Sequence, residues 1–207
     1  MERASAHACR SFVVARALPI LGGLALAAVP ACGASPTLPQ MPWDHPSIVE
    51  LAAKEPGFVL SAPTVAMKGA KGVASASYAS DYGASLQPDG RIVFPQGTSG
   101  KIKGNTILAG SSVVATLSAD GEVSGKGLKH KYRFTLDGDL LDADGRGVRL
   151  SPEGGVRAIG GRWHYQDVMQ WSPDQGGAWD HTGWRTMAVV SLIVIENLLP
   201  DALNAPQ

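Results

Sequence analysis

The chain has 207 residues, and 18 Lys plus Arg balance 18 Asp plus Glu. That length allows one ordinary domain, and zero formal charge excludes the clustered basic excess of a nucleic-acid binder. With 44% apolar and 17% charged residues it is no disordered acidic tail, and two Cys cannot make a disulfide framework.

The first 31 residues read as an export signal. Arg3, Arg10 and Arg16 form a positive start opposed by Glu2, and residues 17–29 are uncharged and largely apolar. That core is too short to span a bilayer easily. Small residues follow at the cleavage position, and no adjacent arginine pair precedes the apolar run.

Val29-Pro30-Ala31-Cys32 resembles the lipobox of bacterial lipoproteins, with an aliphatic residue three before a Cys and a small one directly before it. The resemblance implies a diacylglyceryl group on the Cys32 sulfur and an acylated, palmitate-type N-terminus after cleavage. Pro30 departs from the preferred residue. Gly33, where inner-membrane retention would place Asp, implies the outer membrane in a diderm host. The alternatives are plain secretion or release to the periplasm, and an uncleaved anchor. Once Cys9 leaves with the signal, Cys32 is the last thiol, which acylation would protect in an oxidising compartment.

Residues 32–57 form a tether and a short helix. Pro36, Pro39, Pro42 and Pro46 favour an extended linker. Ser47 and Glu50 then make the reciprocal S-x-x-E cap, and Pro56-Gly57 stops the helix.

Residues 58–207 read as one β-rich domain built from turns. An apolar residue, two linkers, an acid-Gly pair and then usually a β-branched residue recur from Leu86, Leu117, Leu141 and Leu150, and Asp137-Gly138 adds another turn. Asp-Gly suits tight hairpins. The flanks are β-prone, as in Arg91-Ile92-Val93-Phe94 and Val148-Arg149-Leu150. Starts 31, 24 and 9 residues apart exclude a regular solenoid. The expected fold is mainly β, an antiparallel meander or small partly closed barrel, with a short N-terminal helix and a C-terminal apolar helix packed on it. The repeats resemble those of uncharacterised bacterial envelope proteins and imply no catalytic residues. Residues 186–199 are apolar until Glu196-Asn197 and are read as that helix, docked on the sheet or on a partner.

Candidate chemistry concentrates late in the chain. His164, Asp167, Asp180 and His181 offer two imidazoles and two carboxylates, a donor set for zinc or acid–base work in a hydrolase-like enzyme. Their spacing matches no compact ligand motif, so no metal or cofactor is assigned. Trp163, Trp171, Trp179 and Trp184 are the candidate lining of a pocket or the material of a core. The acidic run 137–145 fails the helix-loop-helix calcium pattern, since Leu140 takes the first ligand position and Ser151 the last; two hairpin turns explain it. Gly97 to Lys101 lacks the phosphate-loop spacing. Lys126, Lys129, His130, Lys131 and Arg133 form a basic stripe, with Lys129, Lys131 and Arg133 expected on one strand face. The stripe is either a solvated face or a contact for anionic lipid headgroups. The functional expectation is an anchored envelope binding or structural module whose partners are the bilayer, through Cys32, and an envelope protein or lipid headgroups. The enzyme reading and an assembly subunit are the alternatives.

Overall fold

The computed structural model describes residues 57–64, 77–163, 166–174, 179 and 181–204. The expected signal, Cys32 and the helix from Ser47 lie outside them. Twelve short strands follow one another in chain order. They are β1 (Tyr78–Ser80), β2 (Ser85–Leu86), β3 (Arg91–Val93), β4 (Ser99–Lys103), β5 (Thr106–Ala109) and β6 (Ser112–Leu117), then β7 (Glu122–Ser124), β8 (Tyr132–Phe134), β9 (Leu140–Leu141), β10 (Gly147–Leu150), β11 (Gly155–Ile159) and β12 (Asp167–Pro173). Each pairs antiparallel with its neighbour, and β12 returns to β1 through Tyr78↔Pro173 and Ser80↔Trp171. The expected meander is therefore a fully closed barrel, and closure leaves no unpaired edge.

Seven of the hairpins among the described residues share one turn. Counting from residue 1, the Gly at position 4 donates its N–H to the carbonyl of residue 1, and residue 1 donates its own N–H to the carbonyl of residue 5. Ser80, Gln87, Phe94, Ser118, Thr135, Asp142 and Ser151 each occupy position 1. The fourth residue has φ between 75° and 86° in every copy, a region that glycine enters without a Cβ clash. In five copies a side-chain oxygen at position 1 (Ser80, Ser118, Thr135, Asp142 or Ser151) also accepts the N–H of residue 5. A short side chain with an oxygen therefore fixes the turn from within.

Alternation sorts the strand residues. Ala115, Leu117, Val148, Leu150, Val156 and Ala158 are buried, while Thr116 is exposed and Arg149 and Arg157 reach outward. The outward arginines meet acids: Arg149 with Asp139 (Nη2–Oδ2 2.7 Å), Arg157 with Asp167 (2.9 Å) and Arg133 with Asp120 (3.0 Å). Strands of two to seven residues with charged outer faces differ from the ~9–11-residue, lipid-facing strands of membrane barrels.

Helix α1 (Trp184–Leu198) fills the barrel. Every residue from Thr186 to Glu196 is buried, so no face of this stretch meets water. The inward strand side chains surround it. Eight strands close around side chains alone, and twelve leave room for a helix about 10–12 Å across. Its many β-branched residues cost helix propensity, yet a closed sheet offers no further strand position and burial on all sides outweighs the penalty. Ser191 ties helix to wall: its hydroxyl donates to the Met187 carbonyl (2.7 Å) and accepts the Trp171 indole N–H (2.8 Å). No helix among the described residues is long and apolar enough to cross a membrane.

The barrel has two dissimilar ends. At the base, where α1 begins, residues 57–64 run across the opening. Phe58 stacks on Phe134 (5.9 Å), with the Arg185 guanidinium 4.9 Å from its ring centre. Asn105 accepts the Leu60 N–H (3.3 Å) and donates to the Phe58 carbonyl (3.2 Å), and Thr186 exchanges two hydrogen bonds with Ser61. The rim, where α1 finishes, carries both of the cavities described next.

Candidate functional site at the barrel rim

The first cavity is polar and about 40 Å³, bordered by His130, Tyr132, Asp142, Arg146, Glu196 and Asn204 among others. Glu196, 3% exposed, lies near the C-terminal, negative end of α1. Both of its oxygens are used: one accepts the Tyr132 hydroxyl (2.5 Å), the other the Lys129 backbone N–H (2.6 Å). Burial, with the Glu196 hydrogen bond and charge added, pushes the Tyr132 phenol far above its ordinary value of 10.0, so it remains a donor. Asp142 and Asp144 both hold Arg146. The space suits about one water, and the acid–base groups face one another. This arrangement is a latch that fastens the β7–β8 loop to the helix end.

The second cavity is an apolar cleft of about 330 Å³, within the roughly 300–1,000 Å³ of small-molecule sites. One wall is the β3–β4 turn (Phe94, Pro95, Gln96 and Thr98). Another is Ala109, Val114 and Gly127, and the floor is Ile193, Val194, Asn197 and Leu198 of α1. Its polar members Gln96, Thr98 and Asn197 are all exposed. Two backbone irregularities shape it. Gln96 has φ 71°, the one non-glycine with positive φ among the described residues, which costs on the order of 1–3 kcal/mol. Val114 is the extra residue of a bulge, since Ile107 pairs with Ala115 and Leu108 with Val113; bulges re-aim side chains. The Val114 carbonyl takes the Gly127 N–H (2.8 Å), and a Cβ at Gly125 would strike that same carbonyl.

The residues singled out from the sequence lie elsewhere or outside the described part. Trp171 is fully buried in the barrel core, and Trp184 is buried at the start of α1. Trp179 tilts over Tyr78 (5.0 Å), and Trp163 packs half-buried on the core. None of the four lines the cleft. Asp167 pairs with Arg157, while His164, Asp180 and the His181 side chain are outside the described residues. Among those described, no group of three or more His, Cys, Asp and Glu is placed to hold a metal.

The acidic run is two hairpin turns, as the sequence suggested, with Asp142 and Asp144 engaged by Arg146 and Asp139 by Arg149. The basic stripe needs correcting. Only Tyr132–Phe134 is strand, because Gly125 and Gly127 turn the preceding chain against Val114 and its residues become a rim loop. Lys131 and Arg133 are paired with Glu122 and Asp120. The Lys126 and Lys129 side chains make no ion pair among the described residues. Sequence reasoning missed the latch and the cleft; the one local signal was a Glu-Asn break ending an apolar run. No protein-family profile, curated protein or solved structure matches the chain.

Proposed function

We propose that the protein is a lipid-anchored module of a bacterial cell envelope that binds a ligand at the barrel rim. The observation that carries the binding part is the cleft: in a barrel filled by its own helix, it is a ligand-sized apolar space with polar residues exposed beside it. The latch next to it admits only a water-sized guest, which favours binding over catalysis. Support for the anchor is the lipobox-like Val29-Pro30-Ala31-Cys32 behind an export-type leader. Asp167, engaged with Arg157, gives no added support to a hydrolase built on His164, Asp180 and His181.

The test is intact mass and membrane partition of the expressed protein beside Cys32→Ser. A gain of lipid mass, lost in the variant together with membrane association, is the expected result. An unmodified protein in the soluble fraction overturns the anchor. Zinc retained on purification and lost on His164→Ala or His181→Ala would replace the binding module with the enzyme.

A further inference from the structure

We infer that the rim binds an anionic phospholipid, with an acyl chain in the cleft and the phosphate on Lys126 and Lys129. This deepens the binding-module reading and rests on it. The cleft's buried members Phe94, Ile193 and Val194 present hydrocarbon, the surface an acyl chain requires. Gly127, which forms part of its wall, sits between the two lysines in the chain. Both residues are exposed, Lys129 at the border of the neighbouring polar cavity, and neither side chain makes an ion pair among the described residues, unlike Lys131 and Arg133 beside them.

An amphiphile with one apolar tail and one anionic head matches that pairing. A purely apolar peptide would leave the cations without a role. The latch holds the lysines in place, because Glu196 grips the Lys129 backbone and the Asn197 amide donates to the Gly127 carbonyl (3.3 Å). Cationic loops beside apolar surface also suit an anionic leaflet electrostatically. The rim then faces the membrane and the base faces away.

The test is co-sedimentation of the full chain carrying Cys32→Ser with vesicles of phosphatidylglycerol and phosphatidylcholine, and with phosphatidylcholine alone. All variants share that background, so leader residues contribute equally and no acyl anchor is present. Leu198→Asp, at a residue 38% exposed, should weaken binding to anionic vesicles at least tenfold with the melting temperature retained. Lys126→Glu with Lys129→Glu should do the same, and raised salt should reduce binding of the parent. Ala109→Phe, which fills the cleft, gives an independent loss should Leu198→Asp fail to fold.

Equal binding by the parent and the folded variants, or equal binding to neutral and anionic vesicles, overturns the proposal. The anchor is judged separately by the mass of Cys32. Anionic-vesicle binding without lipidation would refute the anchor and keep the lipid site, and lipidation without such binding would do the reverse.

Discussion

The base and the rim close the same barrel in different ways. At the base a separate stretch of chain is laid across the opening and sealed by Phe58 on Phe134, Asn105 to two backbone groups and Thr186 to Ser61. At the rim the helix itself is the stopper, held by one buried carboxylate, and the space beside it is left unfilled. Apolar burial and hydrogen bonds between backbone and amide or hydroxyl groups make the base a seal. The rim instead has a strained turn, a bulge and two lysines, Lys126 and Lys129, without an ion pair among the described residues. Strain of this kind persists where the surrounding structure imposes it, and it gathers at functional sites.

The sharpest break in this comparison is Glu196→Ala. It leaves the buried Tyr132 hydroxyl and the Lys129 N–H without their acceptor, and should cost about 3 kcal/mol in denaturant unfolding. Glu196→Gln, which keeps one acceptor oxygen, should cost less. Next comes Phe58→Ala at the base, with an expected loss of about 2–3 kcal/mol because the ring is only half-buried. Leu198→Asp at the rim should stay within about 0.5 kcal/mol of the parent. Were these last two costs equal, the distinction between seal and open site would fail.

The latch also sets a pH signature. The folded-state value of Tyr132 is raised, so its contribution is complete below the unfolded value of about 10 and is lost as pH rises above it. Stability followed from pH 9 to 12 should fall in the parent, and fall less in Tyr132→Phe. A smaller effect is expected at Gln96, where Gln96→Gly should stabilise by about 0.5–1 kcal/mol through relief of positive φ.

The smallest effect is at Asp120. The Ser118 hydroxyl and then the Arg133 charge hold this carboxyl below its ordinary 3.8. Its contribution is present above the unfolded value and disappears as pH falls through the folded one. Asp120→Asn should therefore lower the melting temperature slightly at pH 7 and leave it unchanged near pH 2.

Local chemistry was legible in the sequence, and long-range pairing was not. The Asp-Gly pairs announced the turns at Asp89, Asp120, Asp137 and Asp144, because one side chain and one glycine set the backbone there. The same turns at Tyr82-Gly83 and Gln96-Gly97 lack the acid and so fall outside the acid-Gly pattern, although the hydrogen-bond pattern is identical. A largely apolar helix signalled burial without saying where, since the β1–β12 pairing that encloses it joins Tyr78 to Pro173. Glu196 stood out as a break, but its partners are 64 and 67 residues away. The cleft has no residue type that marks it, whereas the Trp residues drew attention by size and Trp171 proved to be core.

The most direct measurement is hydrogen exchange along the chain with and without anionic vesicles. The account predicts slowest exchange at residues 186–195 in both conditions, and added protection with vesicles at residues 95–98, 109–114, 126–131 and 197–199. Residues 57–61 and 118–122 at the base should not change. Protection at the base, or none at the rim, would contradict the claim that this barrel binds through the end its helix leaves open.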